Sequence, residues 1–313
     1  MKKKWFIYLI FVLLLSLLPI QASGTGGDNN VYVISIEGEI GPAVYEYVKS
    51  SVFTAEQDPN TVAIIFEIDT YGGRIDSAEK ISTVIRRTGL PTISFVNTKA
   101  ESAGVLLTIS ADTIVMAPGS TIGSAEPIPN NEKSLSMWTS LLRTVAQEKG
   151  RDPELVAATA DKSIEIPGVV KKDRLLNLTT QEAKDLEFAD FVEEDYKGIL
   201  ESISIDYGDI VEVPITGRVR LAQTMTNSYV APILLSLGFI GLVIEIFTAG
   251  FGLGGTVSFV AFALYFGGAI LAGNAGWAVL IFFLVGLMLL LIEAFIPGFG
   301  IPGIGGIICV VIS

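Results

Sequence analysis

Two hydrophobic rhythms divide the chain. Residues 31–40 alternate apolar and polar positions, the period-two pattern of a half-buried strand, and 61–68 form a nearly continuous apolar run suited to a strand buried on both faces. From 74 to 87 the apolar residues Ile75, Ala78, Ile81 and Ile85 recur at helical spacing, and Gly89 and Pro91 end that helix. A β-branched run at 92–96, a helical stretch at 102–110 and an extended one at 113–116 repeat the order. Strand, helix and strand in succession predict a mostly parallel α/β sheet covered by helices. A longer helix is expected between Asn131 as cap and Gly150 as stop, with Leu135, Trp138, Leu141, Leu142 and Val145 on its apolar face.

The second rhythm is unbroken hydrophobicity. Stretches at about 231–247, 255–273 and 277–296 each approach the roughly 20 residues that span a bilayer, and a fourth begins near Gly303. That fourth stretch, ending at Ser313, is shorter than a full span, which suits a re-entrant stub or the start of a longer segment. An internal echo links Ile244-Glu245-Ile246-Phe247 to Ile292-Glu293-Ala294-Phe295, each followed by a Gly-rich turn, at an offset of 48 residues. Charge in hydrocarbon costs roughly 2.5–3.5 kcal/mol. Glu245 and Glu293 are therefore either functional intramembrane carboxylates or interfacial acceptors for the backbone N–H groups of those turns.

Residues 1–24 carry three lysines, an apolar run from Trp5 to Leu18 and the small residues Ala22-Ser23-Gly24, which reads as a secretory signal peptide. Residues 25–228 are then an extracytoplasmic domain and 229–313 a transmembrane region of three to four spans. Orientation rests on the signal peptide, because no Lys or Arg follows Arg220.

Of the 33 acidic residues only Glu245 and Glu293 lie in the membrane region, and three of the 21 bases lie in the leader, leaving 31 acids against 18 bases between them. A net charge of about −13 on this domain argues against nucleic acid as a partner. Cys309 is the only cysteine, so one chain cannot form an internal disulfide. With no histidine and one cysteine, a zinc site would need carboxylates alone, which favour harder cations. Neither a metal nor another cofactor is expected.

Candidate chemistry concentrates at Glu101-Ser102-Ala103-Gly104. A serine followed by two small residues, between a strand-like and a helix-like run, reads either as a nucleophile turn or as a helix N-cap. Upstream, Gly72-Gly73 ends a strand and reads either as a plain turn or as a loop whose N–H groups face a tight space. The absence of histidine excludes a Ser-His-Asp triad. A serine nucleophile would then need a lysine whose pKa falls from about 10.4 toward 7 or 8.

Segment 66–78, which contains Asp69-Thr70-Tyr71-Gly72-Gly73, and segment 99–128 resemble the ClpP/crotonase-fold serine proteases, specifically the membrane-bound NfeD family, with signal-peptide peptidase A a more distant relative. The resemblance covers about 30–220 and continues into the multi-span region. It implies an α/β ClpP/crotonase-like domain followed by an all-α transmembrane region, and a Ser-Lys endopeptidase. By this resemblance Ser102 is the nucleophile and the N–H groups of Gly73 and Ala103 form the oxyanion hole, reinforced by the positive end of the helix that opens at Ser102.

Aligned on Ala146-Gln147-Glu148, the family's lysine falls on Arg143, which stays protonated and cannot act as a base. Lys133 is the preferred substitute, because family members with arginine at that place tend to carry a lysine about three turns earlier. The two positions lie about 80° apart around a helix and about 15 Å along it, so both cannot serve Ser102 from one helix. Lys99, Lys149 and Lys162 are further candidates. Tyr71 replaces the proline usual before the two glycines.

The expected function is a membrane-anchored endopeptidase that cuts apolar segments of membrane-associated proteins, with a stomatin- or flotillin-like protein as candidate substrate or partner and a homo-oligomer, at least a dimer, as the assembly. The alternative is a non-catalytic scaffold of the same fold, favoured by Arg143, that organises such a partner or affects membrane order. Acyl-CoA chemistry of the crotonase kind is disfavoured by export.

Overall fold

The computed structural model describes residues 29–248, 252–273, 275–294 and 300–312, so the expected signal peptide at 1–24 lies outside the described residues. Strand β1 (Asn30–Ile40) is followed by helix α1 (Pro42–Gln57) and by β2 (Thr61–Gly73), which pairs with it in parallel. Helix α2 (Ile75–Arg87) leads to β3 (Thr92–Glu101), parallel to β2. The short α3 (Ala103–Ile109) leads to β4 (Thr113–Met116). These are the predicted elements in the predicted order. The additional α1 buries Val44, Tyr47, Val48, Ser51, Val52 and Ala55, a stripe in which a hydroxyl and a phenol interrupt the aliphatic signal.

The continuous apolar run in β2 has a direct cause. Ile64, Phe66 and Ile68 enter one core with Val44 and Val48 of α1, Ile81 and Ile85 of α2 and Leu106 of α3. The alternating Ala63 and Ile65 enter a second core on the other face. Each large aliphatic side chain buried this way contributes about 1.5–3 kcal/mol relative to exposure.

β3 changes partner along its length. Ile93 to Val96 pair with β4, whereas Lys99 to Glu101 pair with β5 (Thr121–Gly123). The predicted long helix is α4 (Glu132–Glu148), capped by the Asn131 side chain, which accepts from Ser134 N–H at 2.9 Å. After α5 (Pro153–Ala157), β6 (Asn177–Thr179) pairs antiparallel with β5. Then come α6 (Thr180–Asp185), β7 (Phe191–Val192) beside β4, and α7 (Tyr196–Ser202), whose Ile199 and Leu200 cover the second core. β8 (Ile210–Glu212) extends the sheet beyond β1.

Helix α8 (Gly217–Met225) connects to four apolar helices, α9 (Val230–Phe247), α10 (Leu253–Leu271), α11 (Trp277–Ala294) and α12 (Ile301–Ile312). A mixed α/β domain thus precedes an all-helical apolar region. The apolar helices form two hairpins, closely packed at Gly241 against Gly254 and at Gly286 against Gly306. In the first, the Glu245 carboxylate accepts from the N–H groups of Gly252 and Gly255, both at 2.7 Å. In the second, Glu293 accepts from Gly300 and, at 3.0 Å, from Gly303. Each glutamate bonds the freed backbone groups that open the next helix. Phe262 and Phe266 of one hairpin pack on Phe283 of the other at ring-centroid separations of 4.7 and 4.5 Å. Ala43 of α1, Ala222 of α8 and Ala272 at the end of α10 form a small buried cluster that joins the helices to the α/β domain.

Candidate active site

Ser102 lies where β3 hands over to α3. Its N–H donates to the Gly123 carbonyl at 2.9 Å, continuing the pairing of β3 with β5. The buried α3 turns away at once, which forces Ser102 to φ 55° and ψ −119°. A non-glycine residue held there stores about 1–3 kcal/mol of backbone strain. The serine occupies the N-cap position, yet its side chain makes no capping hydrogen bond, so the hydroxyl is left for another use.

The Gly72-Gly73 loop packs directly on this turn. A Cβ at Gly72 would lie 2.5 Å from Ser102 Cβ, 2.9 Å from its Oγ and 3.1 Å from the Ala103 nitrogen, and Gly72 has φ 103°. A side chain at Gly73 would strike the backbone of Ile40. Thr70 shapes the loop, its Oγ1 accepting from Gly72 N–H at 2.8 Å and donating to the Gly38 carbonyl. Ala103 is the first residue of α3, so its N–H has no intrahelical acceptor.

Ser102, Ala103, Gly72 and Gly73 share one cleft of about 700 Å³. Tyr71, Ile128 and Tyr229 are exposed on its rim, and Trp138 forms part of the wall while donating Nε1–H to the Ala125 carbonyl at 2.8 Å. Arg74 and Asp76 form a bidentate pair at its edge, with contacts of 3.0 Å, and the Arg74 guanidinium holds the Asp76 carboxyl below its ordinary pKa. Glu39 and Glu126 complete the charged lining.

The lysines are placed elsewhere. Lys133 is exposed on the first turn of α4, makes no hydrogen bond or ion pair among the described residues and does not line the cleft. Trp138, which does, lies five residues on, about 140° around the helix. Arg143 is also five residues from Trp138 and is held by Glu154 of α5 in a bidentate pair with contacts of 2.8 and 3.1 Å. Lys99 stands 4.4 Å from the Tyr71 ring centroid and 3.5 Å from Asp69; Tyr71 and Asp69 together raise its pKa, which keeps it protonated. Lys149 pairs with Asp112 at 2.6 Å, and Lys162 pairs with Glu126 of the cleft wall at 3.2 Å. The structure thus gathers Ser102, Gly73 and Ala103, while Lys133 and Arg143 lie off the cleft wall.

Several wall residues were not singled out from the sequence. Glu39, Ser228 and Tyr229 come from opposite ends of the α/β domain, and no local signal joins them. Trp138 was recognised only as part of an apolar helix face, although the pairing of an indole N–H with apolar surface marks a residue suited to a boundary.

The NfeD1b N-terminal domain family matches residues 30–213, and the NfeD integral membrane domain family matches 229–313. Membrane protein NfeD1b of Bacillus subtilis (strain 168) is 31% identical over 308 residues, which cover 96% of this chain and 70% of that protein. Membrane-bound protease PH1510 of Pyrococcus horikoshii is 29% identical over 330 residues, covering 93% of this chain and 70% of that protein. Among solved structures, the 1510-N membrane-bound stomatin-specific protease, as a lysine-to-alanine mutant in complex with a substrate peptide, is similar with a TM-score of 0.53 and 25% identity, covering 62% of this chain and 96% of that one. Its serine-to-alanine mutant gives 0.52 and 26%, covering 61% and 100%. From its α/β domain through its apolar helices, the chain belongs to the NfeD family of membrane proteins.

Proposed function

We propose that this protein is a membrane-anchored serine endopeptidase whose nucleophile is Ser102 and whose substrate is a stomatin-like membrane-associated protein. The observation that carries the reading is the strained Ser102 turn, with an uncapped hydroxyl packed against Gly72 beside the first N–H of α3. The names of the relatives support the substrate class, since 1510-N is a stomatin-specific membrane protease. The leader-like residues 1–24 support an extracytoplasmic position for the α/β domain in this reading.

In the reaction, Ser102 Oγ attacks the substrate carbonyl while its proton passes to a neutral lysine amine. The N–H groups of Gly73 and Ala103 hold the oxyanion, and each such donor is worth about 100-fold to 1000-fold in rate. The lysine returns the proton to the leaving amine, and water then hydrolyses the acyl-enzyme. Lys133 is the proposed base. It stands five residues after Ile128 of the cleft rim and is unpaired, so a shift of the first turn of α4, or a neighbouring copy in a dimer or larger oligomer, would deliver it.

A scaffold without catalysis is the second reading, and one observation favours it. The serine and lysine mutated in the two 1510-N structures are 41 residues apart, as are Ser102 and Arg143, and Arg143 is tied to Glu154. A fluorophosphonate probe, which phosphonylates an activated serine with loss of fluoride, separates the two. The protease reading expects labelling of the wild type that Ser102→Ala abolishes and Lys133→Ala reduces at least tenfold. Labelling that appears only after Arg143→Lys would identify a disabled enzyme.

A further inference from the structure

The wall of the Ser102 cleft is completed by Ser228 and Tyr229, the residues that immediately precede the first apolar helix. Glu39, on the same wall, ties this junction down: its carboxylate accepts from the Asn227 side chain, the Ser228 N–H at 3.0 Å and the Ser228 hydroxyl. The Asn227 side-chain Oδ1 in turn accepts from the N–H groups of Tyr229 at 3.0 Å and Val230 at 3.4 Å, at the start of α9. A hydrogen-bonded path therefore runs from the cleft to the start of the membrane region, and the integral-membrane family match begins at the same place, residue 229.

Dimensions fix the level of the cleft. The 18 residues of α9 are about 27 Å long, close to the ~30 Å hydrocarbon thickness, so Val230 marks one edge of the hydrocarbon and Tyr229 lies in the headgroup layer. The end of α10 returns to the same level, where Ala272 packs on Ala43 and Gly273 runs against Glu46. Ser102 and Tyr229 line the same cleft of about 700 Å³, so the serine and the membrane junction face one space. The exposed Tyr71, Ile128 and Tyr229 give the rim the amphipathic character found at bilayer surfaces.

We infer that the cleft works at the membrane surface, on an extended segment whose scissile bond lies close to a bilayer-inserted anchor, each further extended residue adding ~3.3 Å of separation. This rests on the protease reading for the chemistry but not for the position. The test uses the full chain in phosphatidylcholine vesicles with two readouts. A fluorophore on Ser102→Cys, in a Cys309→Ser background, is expected to be quenched by headgroup-nitroxide lipid to within twofold of one on Tyr229→Cys. Peptides with one transmembrane anchor and spacers of 4, 10 and 20 residues before the cleavable sequence are expected to be cut fastest at 4. The rate should fall about tenfold by 20, following the −3/2 power of tether length. Absent quenching at position 102, or cleavage that rises with spacer length or ignores it, overturns the inference. Quenching at 102 with no peptide cut at any spacer establishes the position of the cleft and overturns the protease reading instead.

Discussion

Gly72→Ala is the sharpest perturbation of the proposed machinery. The new Cβ would fall 2.5 Å from Ser102 Cβ, where carbon atoms normally approach to about 3.5–4.0 Å, so roughly 1 Å must be taken up by the two chain segments. It would also stand 3.1 Å from the Ala103 nitrogen, in the space an oxyanion needs to reach that donor. Misplacement by 1 Å costs about 100-fold, and loss of one oxyanion donor about 100-fold to 1000-fold. Because both act on one geometry they do not multiply, and a 100-fold fall in the rate of Ser102 phosphonylation, about 2.7 kcal/mol in the barrier, is the conservative expectation. The φ of 103° at Gly72 adds about 1–3 kcal/mol of destabilisation. Gly119→Ala separates the two effects, because Gly119 has φ 83° and nothing within 4 Å of a built Cβ. It should lower stability by a similar amount and leave the site intact. The assay is the rate of fluorophosphonate labelling of detergent-solubilised full chain, with urea denaturation alongside. Labelling of Gly72→Ala within threefold of wild type, or equal loss in Gly119→Ala, refutes the reasoning.

Three more outcomes follow from the structure. Ser102→Gly releases the strain at φ 55° and should stabilise the protein by about 0.5–2 kcal/mol in urea, after allowing for the greater unfolded-state freedom of glycine, while abolishing labelling. Glu245→Ala leaves the N–H groups of Gly252 and Gly255 without an acceptor at about 1–3 kcal/mol each; Glu245→Gln, which keeps one carbonyl oxygen, should lose about half as much midpoint stability in a detergent-denaturation series. Burial pushes the Asp112 carboxyl up, but Lys149 and Thr92 outweigh it and hold the group below its ordinary pKa of 3.8. Its contribution is complete above that value and is lost as pH falls through the lower folded one, so Asp112→Asn should flatten the acid limb of a stability–pH curve.

Periodicity made the core of the fold legible because β1 to β4 and α2 to α4 each repeat their pattern over enough residues to be seen. The two- and three-residue strands β5 to β8 carry no readable period and exist through tertiary pairing alone. The small-residue turns at Gly72-Gly73 and Ser102-Ala103-Gly104 were legible as local order, while the roles proposed for Ser102, Gly73 and Ala103 came from the family resemblance. A base is different: any lysine satisfies the chemistry, and its helix phase relative to Trp138 decides where it points. The attachment of Glu39 to Ser228 spans 189 residues of sequence, a distance at which one carboxylate and one hydroxyl leave no pattern.

Beyond the change of partner, the end of β3 lies between β2 on one side and β5 on the other, the two tines of a fork with Ser102 at its crotch. One tine carries the Gly72-Gly73 loop, and the other, formed by β5 and β6, carries the Ser124-to-Ile128 wall. That second tine is braced from behind, where Ser124 N–H donates to the Leu176 carbonyl at 3.0 Å and Ala125 N–H to Thr159 at 2.6 Å. The aperture offered to a polypeptide is therefore set by the angle between the tines. Substitutions around Thr159 or Leu176 should widen or narrow it, tuning which side chains are admitted while the strained serine at the crotch stays as it is.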